Sequence, residues 1–225
     1  MAISVAQFAF AENGGSSLTA SFTATLTGDY IVCIGEWDSS KTLSSFVTSQ
    51  GDNFTLLPLS GTTSPISNSL AGAPADYFVA MVKPTTGSTS VVMTFSGATS
   101  FCDLGVYVVR DATNLSLDQS LGISVSSAST VNQSGVTGTL ITPIELAVGY
   151  CITLSGMSGV NTAQTGSSGF TSDQIGGNDC CWSHQITSST SPVNAAYTVT
   201  SGTGEVLCCT FYDQLSSFNR GYIIG

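Results

Sequence analysis

The sequence predicts an all-β protein and, within that class, an antiparallel β-sandwich that is jelly-roll-like. Three observations lead to this prediction. Short apolar or alternating segments recur between clusters of Gly, Pro, Asn and Ser. Charged residues make up 8% of the chain, and 24 glycines accompany many Ser and Thr residues; an average soluble domain has about 25% charged residues. No segment has the apolar period of an amphipathic helix.

Each predicted strand is an apolar or alternating run that ends at a turn signal, such as "TGD" at 27–29 or "SGTG" at 201–204. The best helix candidate is a single turn within "DATNLSLDQS", residues 111–120. The predicted strands are residues 3–10, 18–26, 30–37, 43–49, 53–59, 76–83, 88–96, 101–111, 122–127, 135–141, 146–154, 169–175, 180–186, 194–200 and 204–212. Closely spaced short strands of this kind favour a sandwich or jelly roll.

The chain is predicted to form one domain. No linker-like break divides it, and no repeat with a fixed period is visible. A chain of 225 residues is long enough to bury roughly 70% of its unfolded surface, so it needs no disulfide or metal for stability. We expect a single β-sandwich domain over residues 1–213 and an apolar C-terminal tail over residues 214–225.

The charge balance argues against several partners. The net charge is −10, and the basic residues are Lys41, Lys83, Arg110 and Arg220. Because polyanions need several cationic contacts, we expect no nucleic-acid partner and no binding to anionic membranes. No apolar window is long enough to span a bilayer. The first residues lack the pattern of a secretory signal, so we expect synthesis and use without export.

The chain has seven cysteines, several of them inside apolar runs such as "YIVCIGEW" and "LAVGYCITL". Free cysteine behaves in such runs as a small buried hydrophobe. An odd number leaves at least one thiol unpaired within a monomer. We therefore expect mostly reduced, buried cysteines; they are Cys33, Cys102, Cys151, Cys180, Cys181, Cys208 and Cys209.

The segment "CCWSH" at 180–184 contains the chain's single histidine. On a strand, Cys180, Trp182 and His184 share one face, and Cys181 faces the other way. Adjacent cysteines on a strand point apart and chelate zinc poorly, so a Cys₃His cluster with the pair at 208–209 is not favoured. A Cys–His dyad is not favoured either, because a residue four positions away on a strand is about 13 Å distant.

Other candidate sites are weaker still. Glu36 and Asp38 share a strand face, so a carboxylate pair for glycoside chemistry is geometrically allowed. Asp103, Asp111 and Asp118 border one segment, but the regular calcium-loop spacing is absent. No nucleophile-elbow, zinc-protease, P-loop or dinucleotide fingerprint occurs. We expect no enzyme activity, no catalytic residue, no cofactor and no metal.

The last residues are unusually apolar for a solvated tail. Phe218, Tyr222, Ile223 and Ile224 lie beyond the last predicted strand, with Arg220 as the charged residue among them. Solvated tails are normally polar. One interpretation is that the tail returns to its own domain as a further strand. The other, which we favour, makes these four residues an interface with a neighbouring subunit or scaffold.

Several segments together resemble a known family. They include "TGDYIVCIGEW", "VTSQGDNFTLLP", "CDLGVYVVRDATNLSLDQS", "ELAVGYCITLSG" and "GFTSDQI". Their order resembles that of sandwich modules found in bacterial surface proteins and in tailed-phage genomes. The resemblance covers roughly residues 17–212. It implies a sandwich fold and carries no catalytic residues.

The sequence therefore favours a non-enzymatic structural protein, a tailed-phage virion component of the capsid-decoration, head-fibre or tail-fibre type. Such a protein is made in the host cytoplasm and acts through subunit contacts, as a homo-oligomer, with a trimer favoured, on a larger particle or shell. The alternative is a carbohydrate-binding or adhesin module of a bacterial surface protein, located outside the cell with a glycan as partner. Trp37 and Trp182 would then form a sugar-stacking platform, although aromatic residues on sheets more often fill the core.

Overall fold

The computed structural model describes residues 3–59, 65–70, 73–121, 124–126, 131–154, 156–177, 179–200 and 203–214. This part of the chain forms eighteen β-strands in four antiparallel sheets. The prediction of an all-β antiparallel sandwich is thereby confirmed. The interface candidates Phe218, Tyr222, Ile223 and Ile224 lie outside the described residues, so their role stays a prediction.

The first half of the chain forms two sheets. Inner sheet 1 has the strand order β1-β9-β3-β7-β5, with β6 also paired to β7, and outer sheet 1 has the order β2-β8-β4. The strands are β1 (Ser4–Glu12), β2 (Ser17–Ser21), β3 (Tyr30–Asp38), β4 (Leu43–Thr48), β5 (Thr55–Leu56), β6 (Ile66–Leu70), β7 (Ala73–Val82), β8 (Ser90–Phe95) and β9 (Cys102–Arg110).

The second half forms two more sheets. Inner sheet 2 has the order β10-β18-β13-β16-β15, with β11 also paired to β18, and outer sheet 2 has the order β12-β17-β14. The strands are β10 (Leu115–Ser120), β11 (Ser124–Ser126), β12 (Val131–Gln133), β13 (Glu145–Thr153), β14 (Met157–Val160), β15 (Thr171–Gly176), β16 (Cys180–Ile186), β17 (Ala196–Val199) and β18 (Gly204–Asp213).

The two halves have the same connectivity. In the inner sheets, β10, β18, β13, β16 and β15 take the places of β1, β9, β3, β7 and β5, and in the outer sheets β12-β17-β14 matches β2-β8-β4. In each half the chain crosses repeatedly between its two sheets, and the first strand pairs with the last, β1 with β9 and β10 with β18, as in jelly rolls. The predicted domain over 1–213 thus contains two sandwich halves, a structural repeat that the sequence does not reveal as a fixed period.

Two sequence predictions are wrong in detail. The expected helical turn within residues 111–120 is instead the strand β10, because Leu115 lies opposite Asp213 and the segment joins the edge of inner sheet 2. The expected strand at 135–141 is irregular. Its backbone amides at Thr137 and Leu140 bond to single carbonyls of the loop that precedes β17, without forming a ladder.

The four sheets stack in the order outer 1, inner 1, inner 2, outer 2. Three apolar clusters fill the three spaces between them. The central core, between the inner sheets, contains residues of both halves, including Val32, Val79, Val148 and Leu207. Both inner sheets are therefore covered on both faces, which explains why their strands read as nearly continuous apolar runs. All nine residues of β3 are buried.

Trp182 joins the two halves at the middle of the central core. Its indole nitrogen donates a hydrogen bond of 3.2 Å to the backbone carbonyl of Ile34 on the other inner sheet. Gly105 makes room for the indole ring, because a Cβ at this position would lie 2.2 Å from Trp182 Cδ1. Glycine within a β-strand often marks a place where another part of the protein approaches the backbone closely.

Candidate functional site

A row of carboxylates crosses inner sheet 1 where β1 and β3 end and β9 begins. Glu12 lies opposite Asp103, Asp103 opposite Glu36, and Glu36 opposite Tyr77. Directly opposed residues project from the same face of a sheet, and here that face looks toward inner sheet 2. We call Glu12, Asp103 and Glu36 the acidic row. Like charges placed directly opposite one another destabilise a sheet, so this row is costly.

A second row of residues, on inner sheet 2, lies across from these carboxylates. Gly176, Cys180, Ile152 and Glu205 occupy opposed positions on its neighbouring strands. Gly176 gives Glu12 its space, since a Cβ there would lie 1.1 Å from the Glu12 carboxylate oxygen Oε1. The Cys180 thiol donates a hydrogen bond of 3.1 Å to the same oxygen.

A cleft of about 530 Å³ opens where the acidic row faces Ile152, Gly177 and Asp179 of the second half. Carboxylates from both halves line it, because Asp179 in the turn before β16 joins the acidic row. Glu36 is only 1% exposed, and its oxygen Oε2 has no hydrogen-bond partner among the described residues. The same holds for the Tyr77 hydroxyl, which also lines the cleft, and for Glu205 Oε2. Buried polar atoms of this kind are rare and costly. Among the described residues, two of the seven such atoms, Glu36 Oε2 and the Tyr77 hydroxyl oxygen, belong to residues that line the cleft.

The ionisable side chains that give the cleft its charge are all acidic. Burial, with the neighbouring charge of Asp103, raises the pKa of Glu36 well above its usual value, although the nearby Tyr77 hydroxyl opposes this shift. Burial also raises the pKa of Asp103 to about 7, although the Tyr150 hydroxyl opposes this by donating a hydrogen bond of 2.8 Å. Burial and then Asp103 raise the pKa of the Cys180 thiol, which stays protonated. Within the described chain, no lysine or arginine lines the cleft.

The structure separates the cysteines of the two CC pairs. Cys180 and Cys209 enter the central core, whereas Cys181 and Cys208 face outer sheet 2. The strand alternation therefore sets the neighbours apart as expected, and no Cys₃His cluster forms in the described part of the chain. All seven cysteines are buried with free thiols. Burial raises the pKa of each of them, so none is an activated nucleophile.

His184 has a partner that the sequence analysis missed. Its Nδ1 lies 2.7 Å from Asp173 Oδ1, on the neighbouring strand β15. The Tyr107 hydroxyl of the other half donates to Asp173 Oδ2 at 3.0 Å and to the Ser183 carbonyl, also at 3.0 Å. An Asp-oriented imidazole is one part of a nucleophilic dyad. The other part is missing, since no serine, threonine or cysteine side chain among the described residues bonds to His184.

The other carboxylates considered in the sequence separate widely. Asp38 turns away from Glu36 and accepts hydrogen bonds from the backbone amides of Ser40 and Ser100. Of the three aspartates considered for calcium, Asp103 lies in the acidic row. Asp111 accepts a hydrogen bond from Ser4, and Asp118 accepts one from the Ile141 amide, so neither reaches the cleft.

The two tryptophans do not form a sugar-stacking platform. Trp37 is 2% exposed and packs in the first sandwich half, and Trp182 is fully buried in the central core. The expectation attached to the alternative function is therefore wrong for these residues. Both rings contribute to stability instead, since large aromatic side chains fill sheet cores.

Three exposed isoleucines lie at the other end of inner sheet 2. Ile144 directly precedes β13, Ile186 ends the neighbouring strand β16, and Ile141 belongs to the turn before Ile144. We call these three residues the apolar end. The chain leaves the described structure beside it, because Tyr212 near the end of β18 lies opposite Glu145 at the start of β13.

Comparisons of the chain with family models, curated proteins and solved structures find no match. The resemblance to sandwich modules of phage and bacterial surface proteins therefore stays a prediction. The described part of the chain has no helix long and apolar enough to cross a bilayer.

Proposed function

We propose that this chain is a non-enzymatic structural protein that assembles through subunit contacts, as a virion component of a tailed phage would. The observation that carries the proposal is the apolar end beside the chain exit. Ile141 is 56% exposed there, and the tail that follows Gln214 contains Phe218, Tyr222, Ile223 and Ile224. Adjacent exposed apolar residues indicate a surface that another chain covers.

The architecture supports this role by analogy. Jelly rolls recur in viral capsid proteins, although a fold alone does not define a function. The duplicated sandwich buries the central strands of its inner sheets, such as β3, and the chain is rich in Ser and Thr and low in charge.

The occupant we favour for the apolar end is the tail of a second copy of this chain. Burying one large apolar side chain contributes about 1.5–3 kcal/mol. Ordering a tail costs about 1–2 kcal/mol for each residue. Fewer than half of the residues after Gln214 are large and apolar, so side-chain burial alone does not offset the ordering cost of the tail. Association therefore needs added backbone pairing, such as strand addition to a sheet edge.

Deleting residues 215–225 tests the proposal. Gln214 is kept because its amide bonds to the Asn114 carbonyl. We expect the truncated protein to fold with nearly the same melting temperature and to lose its oligomeric state in light scattering. A monomeric full-length protein, or a truncated protein that keeps its native mass or cannot fold, would contradict the proposal.

A pair of surface variants sharpens this test. Ile144→Ser combined with Ile186→Ser should weaken self-association at least tenfold. Leu154→Ser is the matched control, because Leu154 is 58% exposed and lies at the opposite, cleft end of the molecule. Equal effects of both changes would show that general surface hydrophobicity, and not the apolar end, drives association.

A binding module is the second candidate, and the cleft is the observation that favours it. Its carboxylates can accept hydrogen bonds from sugar hydroxyls, and the partly buried ring of Phe101 lies among them. In that case a glycan screen should give a ligand whose affinity falls at least tenfold with Phe101→Ala. A screen without any ligand would remove this candidate.

A further inference from the structure

We propose that the cleft binds one divalent cation of the calcium type, held by the carboxylates of Glu12, Asp103 and Glu36. This inference concerns the end of the molecule opposite the apolar end and does not rest on the assembly proposal. It assigns the acidic row a ligand that the sequence analysis did not expect.

The first argument is geometric. A ligand oxygen each from Glu12 and Asp103 and the sulfur of Cys180 all lie within 4.8 Å of one another. Calcium is bound at about 2.3–2.6 Å, so two of its ligands lie at most about 5 Å apart. A single ion between the side chains of Glu12 and Asp103 therefore satisfies both distances without movement of the backbone. Glu36 is outside this cluster, so its side chain has to turn toward the ion to complete the site.

The second argument is independent of the clustering. Glu36 is buried, it lines the cleft, and its Oε2 has no hydrogen-bond partner among the described residues. A buried carboxylate oxygen without a partner is very costly unless something pairs with it. A cation in the cleft supplies that partner, since Glu36 lies directly opposite Asp103 in the sheet register.

The third argument selects the kind of ion. The converging side chains offer carboxylate oxygens, which hard cations such as calcium prefer, while zinc prefers imidazole and thiolate. The Cys180 thiol already donates a hydrogen bond to Glu12, and the surrounding carboxylates disfavour its ionised form. Cys180 is therefore a neighbour of the ion and not a thiolate ligand.

The fourth argument is the charge balance across the halves. Asp179 of the second half approaches the acidic row from the opposite side of the cleft, and no cationic side chain of the described residues stands between them. An ion here would neutralise repulsion between the two sandwich halves. Binding should consequently raise the stability of the whole chain, because the unfolded chain has no such site.

The experiment uses the full chain after dialysis against a chelator. Calcium chloride, magnesium chloride and zinc chloride are titrated separately by calorimetry, and melting is followed with and without each ion. We expect one calcium site per chain and a melting temperature that rises by about 5–10 °C at a hundredfold excess over Kd. No calcium binding, or binding of zinc alone, would overturn the proposal.

Three variants distinguish a site from a general charge effect. Glu36→Gln keeps the shape of the side chain and should weaken calcium binding at least tenfold. Without the ion, this variant should melt no lower than the unaltered protein, which separates loss of a ligand from loss of folding. Glu145→Gln is the matched control, because Glu145 is as buried as Glu36 but lies at the start of β13, at the end of inner sheet 2 away from the cleft.

Cys180→Ser completes the set. It should leave calcium affinity within about threefold, because the thiol is not a ligand. A loss of binding in Cys180→Ser that matches the loss in Glu36→Gln would instead define a thiolate site for a softer metal. Equal losses in Glu36→Gln and Glu145→Gln would show that net charge alone attracts the ion, and either result would refute the proposed site.

Discussion

The middle of the central core and its acidic end join the same two inner sheets in opposite ways. In the middle, Trp182 packs against Phe8, Phe10 and Tyr150, with ring centroids 5.4–6.3 Å apart, and its one polar atom is bonded. At the acidic end, carboxylates face one another and Glu36 keeps an unpaired buried oxygen. Apolar packing thus holds the halves together at one place while charge repulsion opposes contact at the other.

The two regions are neighbours on the same strand, which makes the difference informative. Ile34 accepts the Trp182 hydrogen bond, and Glu36 lies two residues further along β3 on the same face. An apolar residue at position 36 would simply extend the core. Where a sequence breaks the pattern of its own fold at a buried position, a functional site is the usual explanation.

The largest expected effect concerns the apolar side of this comparison. Trp182→Ala removes the largest ring of the central core and leaves a cavity between the halves, so we expect a loss of about 3–5 kcal/mol in the free energy of unfolding. Urea unfolding followed by circular dichroism measures it. Phe10→Ala should cost much less, since Phe10 is 39% exposed at the rim. Similar losses in both variants would contradict the central role of Trp182.

A smaller effect is expected from the glycine that faces this ring. Gly105→Ala places a methyl group 2.2 Å from Trp182 Cδ1, so the inner sheets must shift, at a cost of about 1–3 kcal/mol. Gly97→Ala is the control, because a Cβ there meets only the flexible Lys41 side chain, at 3.7 Å. Thermal melting of both variants compares them. An unchanged melting temperature for Gly105→Ala would mean that the inner sheets are loosely packed.

The smallest expected effect is on the pH dependence of stability, and it concerns Glu145, a buried carboxylate outside the cleft that serves as a reference for the acidic end. Burial raises the pKa of Glu145 from 4.5 to about 7, although the Thr142 amide donates to it at 2.8 Å. The folded protein therefore holds a proton that the unfolded chain releases between these values, and stability falls as the pH rises from about 4.5 to 7. Glu145→Gln should make the chelator-treated protein less pH-dependent in this range. The difference between the two stability profiles measures it, and identical profiles would contradict the assignment.

Much of the fold could be predicted from local sequence. The apolar runs around Cys33, Cys151 and Cys208 predicted strands whose observed bounds differ by at most one residue at each end from those expected. Their signal is strong because each of these strands is buried on both faces, which requires apolar residues at every position. The edge regions were harder, since β6, β12 and β14 were not predicted and β10 lies in the segment that was the best helix candidate.

The acidic row could not be predicted, because its members are far apart in the chain. In the sequence, Glu36 was grouped with Asp38, and Asp103 with later aspartates of its own segment. Only the register of three strands places Glu12, Glu36 and Asp103 side by side. The contact between His184 and Asp173 has the same origin, since pairing of β15 with β16 brings the two residues together.

The sequence by itself determined the class of the protein, its antiparallel strands and the burial of its cysteines. Those properties follow from alternation and from short-range turn chemistry, which act over a few residues. The tertiary structure alone decided that the chain forms two matching halves, that Trp182 joins them and that carboxylates meet at one end. Strand order and register depend on contacts between distant segments, and no local pattern encodes which strand will become the neighbour of another.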